Sequence, residues 1–399
     1  MNIVLFDTTQ SRTSLKPFSH TRPLAKVRIG ICTIEEKWRH YLKGDYSFLT
    51  VPYLSNKFPC VEASQNLCVN GTVCPNEVLV EAINNLGSHQ KLVQDNTLIA
   101  ASCDKKTLQD FQNGDFGASH LQSISFEGPL TQIKNNWDIF LLNGQEIRKD
   151  FRWVCQGKTT QPVQDQHTVT YNEKDIFIEE GASIKAATLN AESGPIYIGS
   201  NAIVKESAII KGPVAICKGA QINTSARISS RTTIGPYAKV GGEISNSVII
   251  GYSNKAHDGF MGNSVIGEWC NIGAGTNTSN LRSDYANIKI WDEQRETFET
   301  TELQFCGIFM GDYSKCAINS AFDAGTIVGI STNLLGVGLF DKVIPSFTWG
   351  TPNNRIQTYQ LEKALESAER MMKRRMVQLT EEDKKVLAHV FLTTAVYRS

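Results

Sequence analysis

The stretch Ile196–Val240, IYIGSNAIVKESAIIKGPVAICKGAQINTSARISSRTTIGPYAKV, decides the fold. Every sixth residue from Ile198 onward is Ile or Val: Ile198, Val204, Ile210, Ile216, Ile222, Ile228, Ile234 and Val240. Four residues after each stands a small or β-branched residue, from Ala202 and Ala208 to Ala238 and Ile244. A six-residue period belongs to a parallel β-helix, in which each coil buries one apolar residue per face. Met310, Cys316, Phe322, Val328, Leu334 and Phe340 repeat the pattern in shifted register, and Ile178/Ile184 and Ile266/Ile272 are further pairs. Residues 175–352 are therefore expected to form the β-helix. Its open ends call for cover, which the flanking segments are expected to supply.

Between Val240 and Ile266 the period is interrupted. The stretch YSNKAHDGFMGNSVIGEWCNIGAGTNTSNL (residues 252–281) is dense in Lys, His, Asp and Asn, and is expected to loop off a corner of the helix. His257 lies there between Lys255 and Asp258. Acyl transfer to an amine needs a base for the attacking nitrogen, and an imidazole suits that task. Lys255 can pair with a substrate phosphate, and Asn side chains can orient sugar hydroxyls. A His in a loop is more often an ordinary surface residue, so the surrounding motif has to decide.

Residues 1–155 read as a separate α/β domain. Asn2–Phe6 is an apolar strand opening at Asp7 into a polar loop that carries Arg12, Lys16, His20, Arg22 and Lys26. Ligands of open α/β sheets bind beyond the carboxyl ends of strands. The cationic loop suits an anionic ligand, though a solvated basic loop would read the same way. Thr33 and Glu36 form a capping box for a helix through Leu42. Asn66–Pro75 reads as a hairpin around Asn70-Gly71, and Ile139–Leu142 as a buried strand ending at Asn143-Gly144. Residues 156–174 are polar and read as a linker. In residues 353–399, Leu361, Leu365, Ala368, Met371 and Met372 recur at helical spacing, and Thr380 with Asp383 caps a second helix through Val396.

The 399 residues carry 40 Lys+Arg and 40 Asp+Glu, so the formal net charge is zero. That argues against nucleic acid or an acidic membrane as partner. Ten cysteines without C-x-x-C spacing fit reduced thiols in a cytoplasmic protein, and no apolar run approaches a membrane span.

Two resemblances bear on function. Leu15, Pro17, Phe18, Ser19, Arg22 and Pro23 keep the skeleton of the sugar-1-phosphate nucleotidyltransferases, while Asp7-Thr8-Thr9-Gln10 replaces the glycines of their phosphate loop. The resemblance implies a nucleoside triphosphate (UTP or dTTP), a sugar-1-phosphate and Mg²⁺, with Arg12, Arg22, Lys26, Asn70 and Asn143 as candidate contacts and the metal ligands left open. Residues 252–281 resemble the acetyltransferase domain of the bifunctional N-acetylglucosamine-1-phosphate uridyltransferase/glucosamine-1-phosphate acetyltransferases. There His257 falls on the catalytic base, Asn271 beside it, Asn280 on a sugar-phosphate contact, and Ala274 and Ala324 on acetyl-CoA contacts. Lys239, Asn254, Lys255 and Asp258 complete the candidate substrate site, while Phe260 and Leu281 replace two substrate-contacting tyrosines. End to end, TRPLAKVRIGICTIEEKW (21–38), NKAHDGF (254–260), GEWCNIGAGT (267–276) and IPSFTWG (344–350) resemble an alternative, Bacteroidetes-type branch of that family. The resemblance implies a Rossmann-like nucleotidyltransferase-type domain, a left-handed parallel β-helix, a helical tail and a homotrimer. Two other functions stay open. One is a hexose-1-phosphate thymidylyl- or uridylyltransferase whose β-helix only oligomerises it, the other a non-catalytic sugar-nucleotide-binding protein.

Overall fold

The computed structural model describes residues 1–352 and 355–398. The chain forms two compact units. The first comprises Met1–Leu15, Thr21–Val27 and Cys32–Asn135; the second comprises Lys16–His20, Arg28–Ile31 and the chain from Asn136 onward.

The first unit is built on a six-stranded sheet in the order Asp45–Leu49, Asn2–Phe6, Gln65–Asn70, Thr97–Asp104, Gln90–Gln94, Gln122–Ser125. Asn2–Phe6 runs parallel to both neighbours, with Phe6 opposite Leu49 and Asn70. A central parallel strand is covered on both faces, and Ile3, Val4, Leu5 and Phe6 are accordingly buried. Helices α1 (Thr9–Ser14), α2 (Ile34–Tyr41), α3 (Glu77–Asn84) and α4 (Lys105–Gln112) accompany the sheet. The expected box caps α2: the Glu36 N–H donates to Thr33 Oγ1 at 3.2 Å and the Thr33 N–H to Glu36 Oε2 at 2.6 Å.

Two expectations about this region are corrected. The loop after Phe6 begins with α1, capped by Thr8. Asn70-Gly71 does not turn a hairpin, because Gln65–Asn70 joins the large sheet whereas Val73–Cys74 pairs with Thr131–Gln132. The Asn70 side chain instead accepts from the Thr72 N–H at 3.0 Å and hydroxyl at 2.7 Å. This is the local turn chemistry that makes Asn-Gly ambiguous in sequence.

The second unit is a parallel β-solenoid of three faces. Its short strands stack into nine-, ten- and nine-stranded sheets. In the coil from Ile196, Ile196–Ile198 lies on the first face, Ile203–Val204 on the second and Ile209–Lys211 on the third. The six-residue period is thus one inward side chain per face: Ile198, Val204, Ile210, Ile216, Ile222 and Ile228 all join one buried apolar column. Corners place residues such as Asn201, Ser225 and Tyr237 at positive φ.

The six-residue count is lost after Val240, but the coils continue without an excursion there. The next inward residues are Ile244, Ile249, Lys255, Met261, Ile266, Ile272 and Thr278, each in register with the coil below or above. Some corners here are one or two residues shorter, so a fixed count of six loses a phase that the fold retains. The excursion occurs later. After Thr278 the chain leaves the solenoid, forms an antiparallel hairpin of Lys289–Asp292 with Thr297–Thr300, and returns at Phe309–Met310.

Ile139–Leu142 is not a strand but the first turns of α5 (Asp138–Val154). Four apolar residues in a row fit either element; the continuation of the stripe through Asn143, Gly144, Ile147 and Asp150 settles on a helix. Helix α5 packs on the solenoid, with the Phe140 and Phe309 rings 6.3 Å apart. A Cβ on Gly144 would come within 2.4 Å of Arg231 Cγ, so glycine permits the approach. Helix α5 thus belongs to the second compact unit. Val169–Tyr171, expected in the linker, is already the first strand of the third face. At the other end, Thr348–Thr351 pairs antiparallel with Arg355–Thr358, and α6 (Leu361–Lys373) and α7 (Glu381–Thr393) follow. The Thr380/Asp383 capping box is present. The Phe391 ring of α7 meets Phe347 of the last coil edge to face at 5.1 Å.

Candidate functional site

Five successive coils shape a groove of about 560 Å³ along the corner between the second and third faces. It is lined by Lys205, Asn223, Thr224, Gly241, Gly242, Ala256, His257, Asp258, Ala274 and Gly275. His257 and Asp258 are exposed there. The His257 imidazole makes no hydrogen bond among the described residues.

The corner that carries His257 is held from three sides. Asn223 Nδ2 donates to the Ala256 carbonyl at 2.8 Å, and Asn223 Oδ1 accepts from Lys205 Nζ at 3.1 Å. Above, the Gly275 N–H donates to the Asp258 carbonyl at 3.0 Å. Gly259, at φ 124°, allows the coils to stack, since a Cβ there would sit 2.0 Å from the Thr276 oxygen.

The third support comes from inside. Lys255 takes the inward position on the second face, between Val240 and Ile272, and is 2% exposed. Its Nζ donates to the His257 carbonyl at 2.8 Å and lies 3.4 Å from the Gly241 carbonyl. Burial draws its pKa down to about 8, against the opposing pull of Asp258 and Cys316. Lys255 was expected to meet a substrate phosphate. It points into the solenoid instead and ties down the backbone that presents His257.

Outward on the second face, Gln221, Lys239, Asn254, Asn271 and Lys315 stand in register on successive coils. Asn254 Oδ1 accepts from Arg375 Nη2, just beyond α6, at 3.0 Å. Burial and the nearby cations Arg375, Lys205 and Arg374 lower the Lys239 pKa. The structure thus brings Lys239, Asn254 and Asn271 together on one face and puts His257, Asp258 and Ala274 on the adjoining corner. Asn280 and Ala324 lie elsewhere in the chain, at the corner between the third and first faces. There Asn280 Nδ2 donates to Asn263 Oδ1 at 2.8 Å, and Ala324 is buried. Lys205 and Asn223 do not stand out in the sequence and become visible once coils are stacked in threes, as outward neighbours of the His257 corner; Arg375 belongs to the densest basic run, Lys373-Arg374-Arg375, which reads in sequence as a solvated helix face.

In the first unit the candidate cations are engaged internally. Arg12 Nη1 pairs with Asp7 Oδ2 at 2.8 Å and donates to Thr50 Oγ1 at 3.0 Å, and Arg12 Nη2 donates to Tyr53 Oη at 3.2 Å. Burial pushes the Asp7 pKa up, opposed by Arg12, Thr50 and the Leu24 N–H. Lys26 pairs with Glu35, and Arg22 is buried. Asn70 is committed to its own turn and to the Leu98 carbonyl. Asn143 lies in α5 of the second unit, where its amide accepts from Gly30 N–H and Thr233 Oγ1 and donates to the Arg231 carbonyl. Its expected nucleotide contact is replaced by this scaffold role. Among the described residues no group of three or more His, Cys, Asp or Glu side chains is placed to hold a metal. Asp7, the carboxylate at the end of the first strand, is committed to Arg12. All ten cysteines are free, and no helix among the described residues is long and apolar enough to cross a membrane.

Residues 3–159 match the sugar nucleotidyl transferase family. The chain is also similar to proteins described as the bifunctional protein GlmU. That of Rippkaea orientalis is 30% identical over 169 residues, 38% of this chain and 36% of that protein. That of Methanocaldococcus jannaschii is 33% identical over 107 residues, 27% of this chain and 26% of that protein. The chain spans about a third of the length of the first of these relatives. Among solved structures, AntD, an N-acyltransferase from Bacillus cereus in complex with dTDP and coenzyme A, is 15% identical, covering 52% of this chain and 91% of that one at TM-score 0.22. The chain thus runs from a nucleotidyl transferase-type α/β unit into a parallel β-solenoid, the order of units that the sequence motifs implied.

Proposed function

We propose that the protein is a transferase of sugar-nucleotide synthesis whose solenoid moves an acetyl group from acetyl-CoA to the amine of an amino-sugar 1-phosphate resembling glucosamine-1-phosphate. The observation that carries this reading is the exposed, unbonded His257 on a corner braced by Asn223, Gly275 and the buried Lys255. His257 takes a proton from the attacking amine as the C–N bond forms, and the thiolate of coenzyme A leaves. Backbone N–H groups of the groove stabilise the oxyanion. Lys239, Asn254 and Asn271 hold the sugar phosphate, with Asp258 and Ala274 beside the base. Asn280 and Ala324 serve the site of a neighbouring subunit in a homotrimer.

For the first unit the proposed ligands are a nucleoside triphosphate and a sugar-1-phosphate, with their contacts left open because Arg12 and Lys26 are held in ion pairs of their own unit. Binding without transfer is the second reading there, favoured by Asp7-Thr8-Thr9-Gln10 standing where a phosphate loop would carry glycines. The two half-reactions are to be assayed separately on the full chain. His257→Ala is expected to lower acetyl transfer by about 10²–10⁴-fold while leaving pyrophosphate release untouched. Acetyl transfer at the wild-type rate in that variant removes His257 as the base.

A further inference from the structure

The groove that presents His257 also holds an amine of the chain's own. Lys205 is half-buried on the corner after Ile203–Val204 and lines the groove together with His257. Its Nζ reaches the next coil and donates to Asn223 Oδ1 at 3.1 Å. The other end of the same carboxamide, Asn223 Nδ2, donates to the carbonyl of Ala256 at 2.8 Å, one residue before His257. A single side chain thus ties the amine to the corner that carries the base. The coil between them turns on Gly241-Gly242, both of which line the groove and put no side chain into it.

Among the described residues Lys205 is the only lysine that lines this groove. Lys255 points into the solenoid, and Lys239 stands outward on the second face. A primary amine beside an acyl-transfer base has the same chemistry as the amino group of the proposed acceptor. It attacks a thioester only once deprotonated, and the His257 imidazole is placed to take that proton. Held in one groove with the acyl donor, the amine reacts in an effectively unimolecular step, an advantage that a lysine elsewhere on the surface lacks.

We propose that Lys205 is a site of self-acetylation, taking the acetyl group when acetyl-CoA fills the groove and no acceptor sugar is present. The bond from Nζ to the acetyl carbon forms as the thioester C–S bond breaks. Coenzyme A leaves as the thiolate, and the proton lost by the amine passes through His257 to it. Acetyl-CoA is the only compound consumed. The proposal rests on the reading of the groove as an acetyl-transfer site and adds to it a second acceptor, in the chain itself. Acetyl-Lys205 keeps one N–H for Asn223 but loses its charge, and its acetamide takes up groove volume. The modified protein is therefore expected to transfer acetyl to the sugar more slowly, and the sugar amine to protect Lys205 by competing for the donor.

The test is to incubate the full chain with isotope-labelled acetyl-CoA, without sugar, and to follow labelling of each lysine by peptide mass spectrometry. Lys218, exposed on the corner between the first and second faces, is the internal reference. Acetic anhydride, which needs no binding site, gives the intrinsic Lys205:Lys218 ratio. With acetyl-CoA the ratio is expected to exceed the intrinsic one by about tenfold or more. It is expected to fall back toward that value when excess coenzyme A is added and in His257→Ala. A ratio equal to the intrinsic one in the wild type overturns the proposal, as does labelling of Lys239 that outruns Lys205. Assay of the sugar reaction on the same preparation separates the two readings. A chain that acetylates glucosamine-1-phosphate while its lysine ratio stays intrinsic keeps the proposed reaction and refutes self-acetylation. One that labels Lys205 above the intrinsic ratio yet leaves the sugar amine free keeps self-acetylation and refutes the assigned acceptor.

Discussion

The two units treat their cations in opposite ways. In the first, the basic loop after the first strand looks like an anion site in sequence, yet Arg12 and Lys26 are neutralised by Asp7 and Glu35 of the same unit. In the second, Lys205, Lys239, Arg374 and Arg375 are scattered along 170 positions of sequence, and folding draws them toward one face with none ion-paired to a carboxylate among the described residues, although Asp258 lines the same groove. A run of cations in sequence therefore says little about binding. What matters is whether the fold pairs them, and the pairing partner of a strand-end residue can come from a turn or a neighbouring strand, as Thr50 does for Asp7.

Breaking the paired side is expected to give the largest effect on stability. The Asp7–Arg12 pair is shielded from solvent, with side chains 1% and 9% exposed. Asp7→Ala strands a buried guanidinium and is expected to cost about 3–5 kcal/mol. Denaturant unfolding of the variant checks this, with the first unit followed by a local probe. A loss under about 1 kcal/mol would mean that Arg12 turns outward without penalty and is available to a ligand after all.

A second, smaller effect concerns the inward lysine. Lys255→Met keeps the length of the side chain and removes the donor to the His257 carbonyl. Catalytic turnover is expected to fall by about tenfold, because the corner presenting the base loosens, while the affinity for phosphate esters changes little. The two proteins also differ in pH dependence. In the folded chain Lys255 loses its proton at about 8, and in the unfolded chain at about 10.4. Below 8 both states are protonated and folding bears the full cost of a buried charge. From 8 to 10.4 the unfolded chain holds more protons, so the stability of the wild type relative to Lys255→Met rises with pH. A difference that stays flat across that window would show that Lys255 is not buried as a cation.

Sequence made the solenoid legible because one buried residue per face is a strict demand, and Ile198 to Val240 meets it without exception. It misplaced the excursion for the same reason. A count of six breaks when a corner shortens between Val240 and Ile244, although Ile228 and Ile244 remain partners in the fold. Lys255 was misread because a lysine in a polar stretch looks outward; its inward position follows only from the register with Val240 and Ile272. His257 stands out through its motif, whereas Arg375 reads only as part of a solvated basic run, Lys373-Arg374-Arg375. Its meeting with Asn254 joins residues 121 positions apart and depends on where the tail docks.

The smallest expected effect is a control on the comparison. Arg227 and Glu243 are paired at 2.8 Å across adjacent coils of the third face, with side chains 63% and 42% exposed. Water and salt screen such a pair, and holding both side chains in place costs entropy, so Arg227→Ala is expected to change stability by about 0.5 kcal/mol or less. Phosphate-ester binding should also be unchanged, because Arg227 is already paired and lies on a different face from Lys239. Calorimetry on Arg227→Ala beside Lys239→Gln measures both. If removing this cation weakens ester binding as much as removing Lys239, the ligand is responding to overall charge, and the contrast between paired and unpaired cations loses its meaning for function.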